Sequence, residues 1–199
     1  MKLIVATLNR GKFREISEFL RGLPLQLIPF WEFQQLEPVI EDQPTFQGNA
    51  LKKARAVFGE TGLPTLADDS GLVVDALGGR PGVFSARYAG EKASDAENLS
   101  KLLREMESIQ EGERSAHFVC AMVLRLTDGR EFFVEERCDG EIARKPGGVG
   151  GFGYDPIFFL PEFGKTMAEI SPDLKNQISH RGKALQKMKK ILVNPEASS

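Results

Sequence analysis

Cysteine, histidine and surplus charge are all scarce in this chain, and each scarcity removes a class of function. Cys120 and Cys138 are the only cysteines in 199 residues. Neither CxxC nor Cys/His spacing surrounds them, so the sequence frames neither a zinc site nor a disulfide scaffold. With two histidines in the whole chain, a single His carries little weight as a signal. Lys and Arg number 26 against 28 Asp and Glu, a formal net charge of -2. That leaves no global field to draw the protein onto nucleic acid or an anionic membrane. The densest basic run, Lys183 to Lys190, reads as the solvated face of a last helix. No apolar run approaches membrane-spanning length, and "MKLIVATLNR" is interrupted too soon for a signal peptide. Repeats, low-complexity tracts and linkers are lacking as well. The expectation is a reduced, cytoplasmic protein with no nucleic-acid or membrane partner, folded as a single domain over residues 1–199.

What is present is a mixed succession of elements. Lys2 to Thr7 reads as a buried strand, and "NRGKFREISEFLRG" then switches to helical spacing with Phe13, Ile16, Phe19 and Leu20 on one face. "LQLIPF" is a second short strand. "TFQGNALKKARAVFGETG" predicts a helix that stops at Gly59 or Gly62, and "PTLADDSGLVVDAL" a strand closed by the turn "GGRPG". Ser94 and Glu97 form a capping box ahead of Leu99, Leu102, Leu103 and Met106. Two further strands, from Ala116 to Leu126 and from Glu131 to Ala143, flank the hairpin signal "TDGR". The glycine-rich loop "KPGGVGGFGYDP", the strand "IFFL" and the terminal helix "SHRGKALQKMKKILV" complete the chain. This order predicts an α/β or α+β fold with a partly antiparallel sheet.

Several segments carry chemistry. "TLNRGK" ends a strand and opens a helix, offering backbone N–H groups and Lys12 to an anion, although an Asn/Gly turn that caps a helix has the same residues. Its glycine spacing is not that of a Walker loop. Asn49 and Lys53 are four apart and share a helix face, as solvated residues do or as an amide and an ammonium brought together. Asp68 and Asp69 are adjacent on a strand, so they point to opposite faces and do not form a matched pair. A carboxylate facing phosphates invites Mg2+, which favours one or two carboxylates completed by water and phosphate oxygens. Glu37 and Glu41 are the candidates for a second carboxylate; a polar strand end capping a turn is the plainer account. Phe152, Tyr154 and Asp155 among glycines suit a base pocket or an aromatic plug of the core. His180 and Arg181 open the last helix, beside its N–H groups.

Five of these stretches, "TLNRGK", "TFQGNALKKA", "ADDSGLVVDALGGRPGVFSARYAG", "GGFGYDPIF" and "ISHRGKAL", occur in an order and at a spacing that closely resemble the inosine triphosphate pyrophosphatase family. The resemblance covers nearly the whole chain. It implies an elongated α/β fold with a mixed central β-sheet, flanking helices and two lobes around a nucleotide-binding cleft. It further implies a homodimeric, Mg2+-dependent hydrolase that converts non-standard purine nucleoside triphosphates (dITP, ITP, XTP) to monophosphate and pyrophosphate. Carried over by position, Thr7, Leu8, Asn9, Arg10, Gly11 and Lys12 cradle the triphosphate with help from Lys53. Asp69 is the general base and, with Glu41, a metal ligand, and Ser70 touches substrate. Phe152, Gly153, Tyr154 and Asp155 form the base pocket, completed by Lys175, His180 and Arg181. A pyrophosphatase for other modified nucleotides would keep the phosphate half and change the base half. A nucleotide-binding module without turnover would have no use for a water-activating carboxylate. Phe84 and Tyr88 read as aromatics of an interface or of the core.

Overall fold

β-Branched and leucine-rich runs at the start of the chain build one side of a sheet, and helices cover both faces there. In the computed structural model, which describes residues 1–198, β1 (Lys2–Val5), β2 (Gln26–Pro29), β3 (Thr65–Val74), β4 (Ser115–Arg125), β5 (Glu131–Ile142), β6 (Phe158–Leu160) and β7 (Lys165–Thr166) form one seven-stranded sheet in the order β2-β1-β3-β4-β5-β6-β7. β1 runs parallel to both β2 and β3, whereas β6 is antiparallel to β5 and to β7. The sheet is therefore mixed, as the element order predicts. The helices are α1 (Arg10–Phe19), α2 (Phe46–Thr61), α3 (Asp95–Glu105), α4 (Pro172–Ile178) and α5 (His180–Val193).

Residue contacts group the chain into two compact units. The first holds Met1–Asp69, Cys120–Glu136 and Arg181–Ser199; the second holds Ser70–Val119 and Arg137–His180. The first unit has two cores, one on each face of its strands. Leu3, Val5 and Leu66 pack with Ile16 of α1, with Leu20 at its C-cap, and with Ala184, Leu185 and Met188 of α5. Their strand neighbours Ile4, Ala6 and Ala67 pack with Ala50, Ala54 and Val57 of α2. The period of two along each strand sorts the side chains, and burial of both faces explains why these strands read as continuous apolar runs. α2 ends at Gly62, the later of the two expected stops, whose φ of 65° is the left-handed cap that glycine adopts without strain.

The second unit gathers Leu72, Val74, Leu102, Met106, Phe118, Cys138, Ile142, Phe158 and Leu160 around one core. The capping box that opens α3 is formed as expected, with Ser94 Oγ accepting from Glu97 N–H and Glu97 accepting from Ser94 N–H at 2.7 Å. Arg114 is buried and clamps the ends of two elements, donating to the carbonyls of Met106, Ile109, Ile142 and Ala143. Two details differ from the expectation. The strand after Pro64 stops at Val74, and Asp75–Leu77 coils into a 3-10 turn closed by Gly78 at φ 63°. α4 has no counterpart in the sequence reading. Of the two aromatics that read as interface or core, Phe84 is exposed whereas Tyr88 is buried in the core, its hydroxyl donating to Glu105.

Candidate active site

The alternation that sorts the two cores also sorts the adjacent aspartates. Asp68 follows Leu66 onto the face covered by α1 and α5; Asp69 follows Ala67 onto the face covered by α2. Each is buried, and each meets a different set of partners.

On the α2 side, Thr45 caps the helix by accepting from Gly48 N–H, which places Asn49 and Lys53 one turn apart facing β3. Asn49 is fully buried; its Oδ1 accepts from Gln43 N–H at 2.9 Å and its Nδ2 donates to Asp69 Oδ2 at 3.0 Å. Lys53 Nζ donates to Glu41 Oε1 at 2.5 Å and to the Asp68 carbonyl at 2.6 Å, and lies 3.6 Å from Asp69 Oδ1. Glu41 is therefore the acidic residue of the 37–41 stretch that joins this group, while Glu37 is exposed on the connection. Burial works against the Lys53 ammonium, but Asp69 and Glu41 outweigh it and hold its pKa above the ordinary lysine value. Burial likewise opposes ionised Glu41, and Lys53 overcomes it, so that carboxyl titrates lower than usual. For Asp69 the balance reverses: burial raises its pKa, and Lys53 and Lys12 only partly offset the rise.

On the other face, Asp68 is held far below the usual carboxylate range. Burial opposes this, and Lys12, Arg181 and Lys53 together outweigh it. Lys12 Nζ lies 3.3 Å from Asp68 Oδ1, and Arg181 donates from Nη2 to Asp68 Oδ2 at 3.2 Å and from Nη1 to Glu15 Oε2 at 2.7 Å. Cys120 lies on the same face with its thiol 3.8 Å from Asp68 Oδ2, and burial together with that carboxylate pushes its pKa up, away from thiolate chemistry. Two neighbouring carboxyls thus acquire opposite shifts, the pattern by which sites separate a proton acceptor from a fixed charge.

Between β1 and α1, Thr7 Oγ1 accepts from Asn9 N–H at 3.1 Å and Asn9 Oδ1 from Lys12 N–H at 3.0 Å. Asn9 is thus the helix N-cap, with Arg10, Gly11 and Lys12 in the first turn and no acidic residue there. Leu8, on the tip of this turn, is exposed.

The second unit holds the remaining predicted residues. The carboxylate of Asp155 braces the glycine-rich loop: its Oδ2 accepts from Phe152 N–H at 2.9 Å and from Lys175 Nζ at 2.5 Å. Lys175 also lies 4.9 Å from the centroid of the Phe152 ring. Gly151 has φ +72°, and a Cβ there would run into the Asp155 carboxylate, so glycine is needed on both counts. Gly153 N–H donates to Asp95 Oδ2 at 2.8 Å. Tyr154 belongs to the core, with its hydroxyl donating to the Ser85 carbonyl at 2.9 Å, whereas Phe152 is only half-buried. His180 is buried and stacks on Phe118 with ring centroids 4.7 Å apart and planes 13° apart. Ser70 is half-buried in β3, directly after Asp69 in the chain.

Both tyrosines of the chain lie in this unit, and both titrate high. Burial and then the Glu105 contact push Tyr88 up to about 12; burial, with Tyr88 and Asp95 adding to it, pushes Tyr154 above its ordinary value. A raised folded-state pKa contributes stability that is fully present below pH ~10 and is lost as pH climbs through the folded value. Ultraviolet titration at 295 nm should therefore show no phenolate signal in the native protein near pH 10. A normal tyrosine step there would refute the burial of at least one ring.

Among the described residues, no group of three or more His, Cys, Asp or Glu side chains is gathered to hold a metal. The donors that a divalent cation would find are the carboxylates of Glu41 and Asp69, both beside one ammonium, Lys53. Two hard oxygen donors fit Mg2+ completed by water and phosphate oxygens; they do not make a protein cage. Sequence reasoning gave Asn49 no role beyond its shared face with Lys53, gave Asp68 none beyond facing away from Asp69, and passed over Glu15. Thr45 and the four-residue spacing signal the first. The pairing of Asp68 with Arg181 spans 113 positions and has no local sign.

A family model described as the Ham1 family matches residues 3–191. The chain is 52% identical over 188 residues to a dITP/XTP pyrophosphatase of Geobacter sulfurreducens, covering 94% of each chain. It is 50% identical over 187 residues to one of Geobacillus kaustophilus, covering 94% of this chain and 92% of that one. Among solved structures, a HAM1 protein from Coxiella burnetii is 44% identical with a TM-score of 0.87, covering 97% of this chain and 98% of that one. The Staphylococcus aureus Ham1 protein is 37% identical with a TM-score of 0.87 over 98% and 100% of the two chains. Sequence and fold agree along nearly the whole length, and the chain belongs to the Ham1 family.

Proposed function

We propose that this protein hydrolyses dITP, ITP and XTP to the nucleoside monophosphate and pyrophosphate; its curated relatives are named dITP/XTP pyrophosphatases. The observation that carries the reading is Asp69: a buried carboxylate of raised pKa, oriented by Asn49 and flanked by the Lys53 ammonium. A carboxylate so placed is suited to take a proton from water. In this reading Thr7, Leu8, Asn9, Arg10, Gly11 and Lys12 hold the polyphosphate through first-turn N–H groups and cationic side chains. Lys53 neutralises phosphate charge that would repel the incoming oxygen. Asp69 accepts the proton as the water oxygen bonds to phosphorus at the α–β linkage, and pyrophosphate departs with the electrons of the broken P–O bond. Mg2+ held by Glu41 and Asp69 would add positive charge on the phosphate oxygens and acidify water.

Base recognition falls to Phe152, Gly153, Tyr154, Asp155, Lys175, His180 and Arg181, with Ser70 touching substrate. Donors such as Lys175 and His180 favour the 6-oxo group of hypoxanthine and xanthine and leave the adenine amine facing donors, a mismatch that discriminates by orders of magnitude. Arg181, through Asp68 and Glu15, holds the strand that carries Asp69. The reading extends to a single pyrophosphatase domain that works as a cytoplasmic homodimer; no helix among the described residues is long and apolar enough to cross a membrane. The test is a panel of ITP, dITP, XTP, GTP, ATP and dUTP with Mg2+, scoring pyrophosphate separately from orthophosphate. Pyrophosphate from the first three with little from ATP or GTP is expected. Orthophosphate alone, or no turnover, would overturn the reading.

A further inference from the structure

Directly after β2, Phe30–Glu32 forms a 3-10 turn whose first residue is buried in the core under α2. Beside that anchor, Trp31 is half-buried and meets the start of α1. Its ring system packs edge-to-face with Phe13, centroids 4.9 Å apart and planes inclined by 64°, and the Arg10 guanidinium lies 4.7 Å from the indole centroid. Three other cations of this unit are matched by acids: Lys12 by Asp68, Lys53 by Glu41 and Asp69, Arg181 by Asp68 and Glu15. Arg10 is different. Among the described residues it meets the indole and no carboxylate, although it is exposed. Stacking holds a guanidinium by its face and leaves its N–H edge open, and that edge is what grips phosphate oxygens two at a time. An unstacked exposed arginine would have to lose its side-chain freedom at the moment of binding.

We propose that Trp31 is a positioning residue that presents Arg10 to the polyphosphate. The inference rests on reading Thr7–Lys12 as the phosphate-holding segment. Phe13 fixes the indole and the indole fixes the guanidinium, so the cation is pre-aimed before substrate arrives. Trp31 is the chain's one tryptophan, so its emission reports on this contact directly.

The probe is inorganic tripolyphosphate with EDTA present, its affinity measured by calorimetry and, where Trp31 remains, by fluorescence. Wild-type emission should change on titration. Arg10→Ala should weaken binding about tenfold, the scale of one charged hydrogen bond. Trp31→Leu should weaken it about two- to fivefold, Trp31→Phe should retain most of the affinity, and Arg10→Ala/Trp31→Leu should be no weaker than Arg10→Ala alone. With nucleotide substrate the same variants should raise KM and leave kcat near wild type. Full affinity in Trp31→Leu alongside a loss in Arg10→Ala, or effects that simply add, would overturn the positioning role. If Arg10→Ala binds normally while Lys12→Ala does not, Arg10 is no phosphate contact and the proposal fails with the phosphate segment intact. If Lys12→Ala also binds normally, the phosphate segment itself is misassigned and the proposal falls with it.

Discussion

Asp69→Asn should lower kcat by about 10²–10⁴, the usual contribution of a positioned proton acceptor. The substitution changes little else. An asparagine oxygen can still accept the bond from Asn49 Nδ2, now 3.0 Å from Asp69 Oδ2, and the side-chain volume is kept. What disappears is the capacity to take a proton and the negative charge beside Lys53. Substrate affinity should therefore change far less than turnover, and circular dichroism melting should show the fold retained. Turnover near the wild-type value would remove Asp69 from the role of base. The contrast with Asp68 strengthens the argument. A neighbour one residue away carries the same functional group, yet its pKa is driven down by Lys12 and Arg181, leaving it a poor proton acceptor.

Arg181→Met should destabilise the protein by roughly 3–5 kcal/mol, the range for removing one partner of a buried ion pair. Its side chain is 3% exposed and that of Asp68 0%, so the stranded carboxylate has no recourse to water. Lys12 stays near the other carboxylate oxygen and places the expectation toward the lower end. For a chain of this size the loss should appear as a fall in Tm of roughly 6–20 °C. Arg181→Lys should be milder, because charge survives, but one ammonium replaces a fork that reaches both Glu15 and Asp68. The acid limb should respond as well. Because Asp68 titrates below its unfolded value, its contribution is fully present above pH ~4 and is lost as pH falls through the folded value. Arg181→Met should flatten that limb, and a Tm within about 2 °C of wild type would dismiss the pair.

Local chemistry made much of this architecture readable. The capping box at Ser94, the "TDGR" turn closed by the Leu126 N–H to Arg130 carbonyl bond, and the opposite facing of Asp68 and Asp69 all follow from neighbours a few positions apart. α4 was legible too and was missed. Ser171 is its N-cap, with Pro172 at the first position and Asp173 in the first turn, a recognised helix start, but seven residues offer too little periodicity to be noticed. Tyr88 could be read as interface or core, because an aromatic among glycines and arginines suits both, and its burial with contacts to Glu105 and Arg80 decides for the core. Within the candidate site, the types of residue were legible and their pairings were not. Nothing near Arg181 names Asp68 or Glu15 as its partner, since the bonds close over more than a hundred residues.

The passage of the chain between its two compact units has a consequence for inheritance. Each transfer falls inside a strand or where one helix follows another: after Asp69, Val119, Glu136 and His180. Neither unit is a contiguous stretch of gene, since one is assembled from three segments and the other from two. A single recombination between relatives cannot exchange one unit for another's, and no simple deletion leaves either behind whole. The Asp69–Ser70 and His180–Arg181 peptide bonds each join a residue of one unit to a residue of the other, so the sequence around them answers to both units at once. Divergence in substrate choice would then have to proceed by point substitution within an undivided reading frame, not by the shuffling of halves.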